Sequence, residues 1–153
     1  MYALCVGTMR AHRTSLARDD LDLFIVTARG RAWTTALGSL LWTKLGGYRE
    51  DVCANYLVDE DHLGIDVQHD IYTAHQLIHL FPVMGEVTYR RLWAANEWVH
   101  AFFPNAAPRP LAPEARFVEP SRTQAWLERV LEPLEPALEW GSRAAYQGYL
   151  ALR

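Results

Sequence analysis

The stretch ARDDLDLFIVTA, residues 17–28, decides the fold of this chain. From Leu21 onward it is almost continuously apolar, which is typical of a strand covered on both faces. Asp20 and Asp22 stand where this strand begins, and residues i and i+2 of a strand face the same side. Two neighbouring carboxylates repel each other unless a cation lies between them. The stretch therefore predicts a central strand whose start carries either a solvated acid pair or a cation site.

The composition is that of an ordinary globular domain. The chain has 153 residues, of which 50% are hydrophobic and 22% charged, and its formal net charge is −3. This charge excludes the basic excess of a nucleic-acid-binding protein, and no apolar run reaches the roughly 18 residues of a membrane span. Cys5 and Cys53 lack a CxxC partner, which indicates free thiols in a reducing compartment. We therefore expect a cytoplasmic protein.

The first half of the chain alternates between strand and helix patterns. Residues 2–6 form a short β-prone run that we expect to stop at Gly7-Thr8. A helix with leucines and a tryptophan at helical spacing lies within 29–47 and ends at a glycine pair. Residues 52–58 read as a third strand, and IDVQ, residues 65–68, as the returning arm of a hairpin. The pattern predicts an α/β fold (α+β in detail), with a small mixed sheet and packed helices.

The second half is predicted to be helical with proline breaks. Asp70 is placed to cap a helix over 71–81, Pro82 interrupts it, and a helical pattern resumes over 85–103. Five prolines within 104–120 indicate an extended linker without packed structure. Residues 121–153 then read as a helical segment that Pro133 and Pro136 bend or divide. The predicted organisation is thus a domain over 1–103, a linker over 104–120 and a C-terminal segment over 121–153.

The C-terminal segment carries an apolar stripe whose partner the sequence leaves open. At helical spacing it contains Trp126, Leu127, Val130, Leu131, Leu134 and Leu138. Either this helix folds back on its own domain, or it packs against a second copy and makes a homodimer.

A Gly-Thr pair precedes the aspartates. Gly7 permits close approach of the backbone to a ligand, and the Thr8 hydroxyl with nearby N–H groups can hold phosphate. Eleven residues separate Thr8 from Asp20. The order is therefore a strand, Gly-Thr, a connection, an Asp-Leu-Asp-Leu run and a second strand.

This order resembles the signature of the DNA polymerase beta-like nucleotidyltransferase superfamily. VGT (6–8) and DLDL (20–23) carry the likeness, with Thr8 where Ser is usual. Residues 21–41 and 94–105 are also similar to a bacterial group of standalone nucleotidyltransferase-domain proteins. Such domains commonly have a helix before the first strand, so the chain is expected to be a trimmed or divergent version or to start further upstream.

The resemblance implies a nucleotide site and its phosphate ligands. Gly7 and Thr8 would grip the triphosphate of a nucleoside triphosphate. Arg10, Arg13 and Arg18 would help to neutralise it, although each is equally well explained as part of a solvated charged loop.

It also implies a Mg²⁺ site of one or two ions. Asp20 and Asp22 would be the metal ligands, and Asp66 a third acid that serves as catalytic base or second-metal ligand. The hairpin predicted for 52–68 would return Asp66 beside the strand of Asp20. Four other residues near that position remain alternatives or turn residues, namely Asn55, Asp59, Glu60 and Asp61.

The implied activity is Mg²⁺-dependent transfer of a nucleoside monophosphate from a nucleoside triphosphate to an unidentified acceptor. The alternative is a catalytically silent nucleotidyltransferase fold that acts as a binding or regulatory partner, as in toxin–antitoxin pairs. A second motif, HQLIH over 75–79, places two histidines at zinc-binding spacing, but Gln76 stands where a metalloprotease needs its general base. Zinc proteolysis is therefore disfavoured.

Overall fold

A computed structural model describes residues 3–8, 21–48, 51–66, 69–110 and 122–151. Its strands are β1 (Ala3–Thr8), β2 (Leu21–Thr27), β3 (Val52–Asp59) and β4 (Phe81–Met84). Its helices are α1 (Ala32–Leu45), α2 (Ile71–Ile78), α3 (Glu86–Ala94), α4 (Arg122–Leu131) and α5 (Glu135–Ala151). Short 3₁₀ turns cover Glu97–Ala101 and Glu132–Leu134. The mixture of helices and strands confirms the predicted α/β class.

One mixed sheet organises these elements, in the order β3-β2-β1-β4. β1 is antiparallel to both β2 and β4, whereas β2 and β3 are parallel. A parallel pair needs a crossover connection, which α1 provides here. β2 lies inside the sheet, and its residues Phe24, Ile25, Val26 and Thr27 are buried. The prediction of a central strand is thus confirmed.

The two faces of the sheet are covered differently. Phe24 and Val26 face the main core, which contains Leu63, Ile65, Ala74, Leu77, Leu80, Tyr89, Leu92, Trp93 and Val99. Because side chains alternate along a strand, Ile25 and Thr27 point to the other face. There α1 packs on β2 and β3, and α5 packs on α1. We call these the core face and the tail face.

A buried asparagine fixes the segment that follows β3 on the core face. The Asn96 Oδ1 atom accepts hydrogen bonds from the Ile65 N–H at 2.8 Å and from the Trp98 indole at 3.0 Å. Its Nδ2 atom donates to the carbonyls of Leu63 at 2.7 Å and Leu92 at 2.8 Å. Buried polar groups need such partners. Asn96 therefore ties the 60–66 segment to the end of α3.

The strand predictions need three corrections. β1 does not stop at Gly7-Thr8 but continues through both residues. Residues 65 and 66 lie in a loop, so the hairpin predicted for IDVQ is wrong there, while 67 and 68 lie outside the described residues. β4 was not predicted, because Pro82 was interpreted as a break between helices. A proline is compatible with β4 because this strand lies at the edge of the sheet.

The glycine stop of α1 and the cap of α2 are confirmed, but two predicted helices are too long. The helix predicted over 71–81 ends at Ile78, and the one predicted over 85–103 ends at Ala94 and is followed by the 3₁₀ turn Glu97–Ala101. α1 ends at Gly46, and Gly47 follows with φ +73°, a left-handed conformation that favours glycine. The Asp70 side chain caps α2 by accepting a hydrogen bond from the Thr73 N–H at 2.7 Å.

The C-terminal segment folds back on its own chain through α5. The Glu139 carboxylate accepts hydrogen bonds from the Trp33 N–H, the Thr34 N–H and the Thr34 hydroxyl, each at 2.8 Å. Arg31 forms an ion pair with Glu135. Contact between α5 and the domain therefore includes polar groups at the start of α1, besides the ring contact of Trp33 with Tyr146.

The predicted apolar stripe is not the contact surface. Trp126, Val130, Leu134 and Leu138 are exposed, by 61%, 47%, 53% and 37%. The turn containing Pro133 separates α4 from α5, as predicted. On α4, Trp126 and Val130 are thus exposed, whereas Leu131 is half-buried.

The first part of the proline-rich region is packed, contrary to expectation. Residues 104–110 contain no helix or strand, but Ala106 packs against the core. The Arg109 N–H donates to the Tyr89 hydroxyl at 3.1 Å, and its Nε to the Ile78 carbonyl at 3.2 Å. Residues 111–121 lie outside the described residues.

Two further observations concern the described ranges alone. Cys53 is a free thiol, and no helix found there has both the length and the apolar character to cross a bilayer.

Candidate functional site

The end of β1 and the start of β2 meet at one edge of the sheet. The antiparallel pairing places Gly7 opposite Phe24 and Thr8 opposite Leu23. Residues paired in this way have Cα atoms about 4.5–5.5 Å apart. The backbone of Thr8 therefore lies beside the start of β2, one residue along from Asp22. Three residues of the predicted site, Gly7, Thr8 and Asp22, are brought together.

The Gly-Thr pair is part of the sheet and not an open loop. On its second side β1 pairs with β4, where Gly7 is opposite Pro82 and Thr8 opposite Phe81. Backbone N–H groups used in a β-ladder are not free to bind phosphate. The described part of the site thus presents the end of a strand at Thr8 and not a glycine-rich cradle.

The other half of the predicted acid pair and its basic neighbours cannot be placed. Asp20, Arg10, Arg13 and Arg18 lie outside the described residues. Asp22 is partly buried and, two residues before Phe24, belongs to the core face of β2.

An acid that the sequence analysis missed lies at the same edge. The Asp51 carbonyl accepts a hydrogen bond from the Leu21 N–H at 2.7 Å, and β3 then places Cys53 beside Asp22. Asp51 is exposed and immediately precedes β3, just as Asp20 precedes β2 in the chain. The sequence signal for Asp51 is an acid directly before an apolar strand. This signal indicates a site only when β3 is known to lie parallel to β2 in this register.

Asp66 lies in a loop and not in the hairpin arm that was predicted. Its side chain is exposed, and its carboxylate lies next to Gly64. The preceding Ile65 is buried in the core with Phe24. Asp66 therefore follows a residue that packs on the face of β2 that also carries Asp22. Its role as third acid stays a prediction.

The other residues weighed for the third position are separated from Asp22 by the strand register. Asn55 is the extra residue at an irregularity of β3, between Ala54 opposite Leu23 and Tyr56 opposite Phe24, and it is exposed. Asp59 pairs with Thr27, five residues beyond Asp22. This corresponds to roughly 16 Å along a strand, too far to share one ion.

The donor chemistry at this edge suits a hard cation. The residues that the structure describes contain no group of three or more His, Cys, Asp or Glu arranged around a metal ion. Of the predicted pair of metal ligands, Asp22 lies within these residues and Asp20 does not. The candidate donors are carboxylate oxygens, which Mg²⁺ prefers.

Among the described residues, no third metal ligand accompanies the histidine pair of the 75–79 motif. The rings of His75 and His79 stack with their centres 4.0 Å apart. The Nδ1 atom of His79 lies 2.9 Å from the His75 carbonyl oxygen. Structural zinc sites have four protein ligands and catalytic sites three, whereas the described ranges supply only these two histidines here.

A second acidic group lies at the opposite end of the parallel strands. The Asp59 Oδ1 atom lies 2.6 Å from Nδ1 of His62 and accepts from the Asp61 N–H at 3.0 Å. Burial alone would raise the pKa of the Asp59 carboxyl, but these hydrogen bonds outweigh it and lower that pKa below its ordinary value. The hydrogen bond with Asp59, together with its charge, raises the pKa of His62.

Comparisons of this chain with protein-family models, curated proteins and solved structures found no match. The functional interpretation therefore depends on the residues themselves and on where the fold places them.

Proposed function

We propose that this protein is a Mg²⁺-dependent nucleotidyltransferase that moves a nucleoside monophosphate from a nucleoside triphosphate to an acceptor and releases pyrophosphate. One observation carries the proposal. The pairing of β1 with β2 sets the Gly7-Thr8 end of one strand beside the Asp22 start of the next. Thr8 and Asp22, which have thirteen residues between them in the chain, thus share one edge of the sheet.

Each residue of the signature has a role in this proposal. Asp20 and Asp22 would hold Mg²⁺, which when bound neutralises phosphate charge during in-line transfer. The Thr8 hydroxyl and the basic side chains of Arg10 and Arg18 would bind the triphosphate. Because Gly7 and Thr8 are in the sheet, hydroxyl and arginine groups carry more of this binding than backbone N–H groups do.

A third carboxylate would act as the general base. The acceptor oxygen forms a bond to the α-phosphorus while the bond to the pyrophosphate oxygen breaks, and the base takes the acceptor's proton. Two acids are candidates, Asp66 beside the core and Asp51 at the start of β3. The hydrogen bond between Leu21 and Asp51 supports the second.

A catalytically silent binding protein is the second candidate. The exposure of Trp126 and Val130 on α4 and of Leu134 in the following turn supports it, because neighbouring exposed apolar side chains are typical of a protein-binding surface. For either function, we propose a cytoplasmic location.

Thermal unfolding with each nucleoside triphosphate, with and without Mg²⁺, tests the proposal. Ligand at about a hundredfold excess over Kd stabilises the folded state by about 2.7 kcal/mol. We expect a Mg²⁺-dependent rise of the midpoint in the wild type and in Asp61→Asn, a matched control at the far end of β3. The rise should vanish in Asp20→Asn and Asp22→Asn. No rise with any nucleotide would favour the silent binding protein.

A further inference from the structure

The tail face contains a cavity that the proposed nucleotide site does not use. It has a volume of about 500 Å³ and lies between α1 and β3, with Tyr146 of α5 at its margin. Small-molecule sites typically occupy about 300–1,000 Å³. Leu57 of β3, which lines it, pairs with Ile25, and Ile25 faces away from the Asp22 side of β2. The cavity therefore opens on the tail face, although its lining extends along β3 to Cys53, which is paired with Asp22.

Most of the lining is apolar and aromatic. Trp33, Ala36 and Leu40 contribute from α1, and Leu57 from β3. The rings of Trp33 and Tyr146 meet edge to face, with centres 6.1 Å apart. Rings and branched aliphatic side chains around one space suit a flat apolar molecule, because such a body buries area on both sides.

Two hydroxyl groups of the α1 side of the lining are available only as hydrogen-bond acceptors. The Ser39 hydroxyl donates its proton to the Ala36 carbonyl at 2.9 Å, and the Thr43 hydroxyl donates to the Ser39 carbonyl at 2.9 Å. Each hydroxyl oxygen then has only lone pairs to offer a ligand. At the β3 end the lining includes the Asp59 carboxylate. The lining also contains Asn55, His62 and Tyr146, whose side chains can donate. Donor groups of a ligand would meet the hydroxyl oxygens of α1, and a positive charge suits Asp59.

We propose that this cavity binds a small organic cation, with a planar apolar body between α1 and β3 and a protonated amine directed at Asp59. This inference does not rest on nucleotidyl transfer. The charged groups around Asp59 are His62 and Asp61 on the same turn, and Arg29 from the β2–α1 connection, which bonds the Asp61 carboxylate at 3.0 Å. Protonated His62 competes with the ligand for Asp59, so binding is measured at pH 8.

Docking of α5 completes the site. Tyr146 reaches the cavity from α5, and α5 is held on the start of α1 by Glu139. Loss of the Glu139 contacts should weaken every ligand of the cavity, whatever its charge. This separates the contribution of the aromatic wall from that of Asp59.

Three probes of one shape and different charge test the proposal. They are 2-naphthylmethylamine, 2-naphthylmethanol and 2-naphthylacetate, titrated into the isotope-labelled full chain and followed by amide chemical shifts. We expect the amine to bind about tenfold more tightly than the alcohol, since hydrogen bonds to charged groups are the stronger ones, and the anion to bind weakest. Shifts should centre on Trp33, Leu57 and Asp59.

Matched variants locate the binding. Asp59→Asn should abolish the preference for the amine and keep binding of the alcohol, while Asp61→Asn, whose carboxylate does not line the cavity, should behave as wild type. Ala36→Phe fills the space and should abolish binding of all three probes, which keeps the test valid if the Asp59 variant fails to fold. Equal binding of the three probes, a preference that survives Asp59→Asn, or shifts centred elsewhere would overturn the proposal.

Discussion

Each face of the sheet carries one strand carboxylate, and the surroundings of the two carboxylates differ. On the core face, Asp22 is the second residue of β2 and lies beside the end of β1, next to a core to which Asn96 ties the following loop. On the tail face, Asp59 ends β3 next to a cavity of about 500 Å³, and its own turn supplies hydrogen bonds to it. An edge held by strand pairing suits positioning of reacting groups, whereas a face with a cavity suits binding of a separate ligand.

The largest effect that distinguishes the two faces should come from Asp22→Asn. We expect nucleotide transfer to fall by about a hundredfold or more, because even groups that only support metal ligands contribute 10–100-fold. Radiolabelled nucleotide incorporation or pyrophosphate release measures it. Asp61→Asn should leave the rate within a factor of about two, as expected for an exposed acid outside the site. Equal losses in both variants would contradict the assignment of the active site to the β1–β2 edge.

Removal of the asparagine on the core face should have the next largest effect. Asn96→Ala deletes four hydrogen bonds and leaves the Ile65 N–H without its partner in the core. We expect a loss of about 3 kcal/mol in the free energy of unfolding, the scale for a buried polar group left unpaired. Chemical denaturation measures it, with the exposed Asn105→Ala as control. A loss as small as that of the control would show that the 60–66 segment is held by other contacts.

The sequence was sufficient where local patterns decide structure. The apolar run of β2, the Gly46-Gly47 end of α1 and the Asp70 cap each depend on a few neighbouring residues. These features were predicted and found.

Long-range pairing was beyond the sequence pattern. β4 was missed because a proline breaks helices and central strands but is tolerated at a sheet edge. The hairpin expected for 52–68 failed because Leu63 and Ile65 are buried in the core beneath α2 and α3. The position of Asp51 beside the start of β2 follows from the parallel register of β2 and β3, which the sequence pattern does not show. The stripe on α4 predicted an amphipathic helix correctly, but α5 makes the contact through Glu139 and not through leucines.

On the tail face, Glu139→Gln should have a moderate effect. Its carboxylate accepts two backbone N–H groups at the start of α1 and favours the positive end of that helix. We expect a loss of about 1–2 kcal/mol, the scale of an N-terminal cap, measured by urea unfolding. Glu132→Gln serves as the control, because Glu132 is an exposed acid in the turn just before α5. If the two variants were equally stable, α5 would not depend on this contact.

The smallest expected effect concerns the exposed His62. Its pKa should lie above the ordinary value of about 6.5, because Asp59 favours the charged ring. A raised folded pKa adds stability that is fully present below the unfolded pKa and is lost as pH rises through the folded one. NMR titration of the ring in the wild type and in Asp59→Asn measures it. An unchanged pKa in the variant would contradict the pairing.

The most direct test of the central claim is to locate a divalent ion in the protein. Mn²⁺ with a non-hydrolysable nucleoside triphosphate is added to the labelled protein, and paramagnetic broadening of the amide signals is recorded. The proposed site predicts the strongest broadening at Thr8 and Leu23, with a steady decrease along β2 toward Thr27. Broadening centred on Asp59 and His62 or on the His75–His79 pair, or none at all, would contradict the assignment of nucleotide binding to the β1–β2 edge.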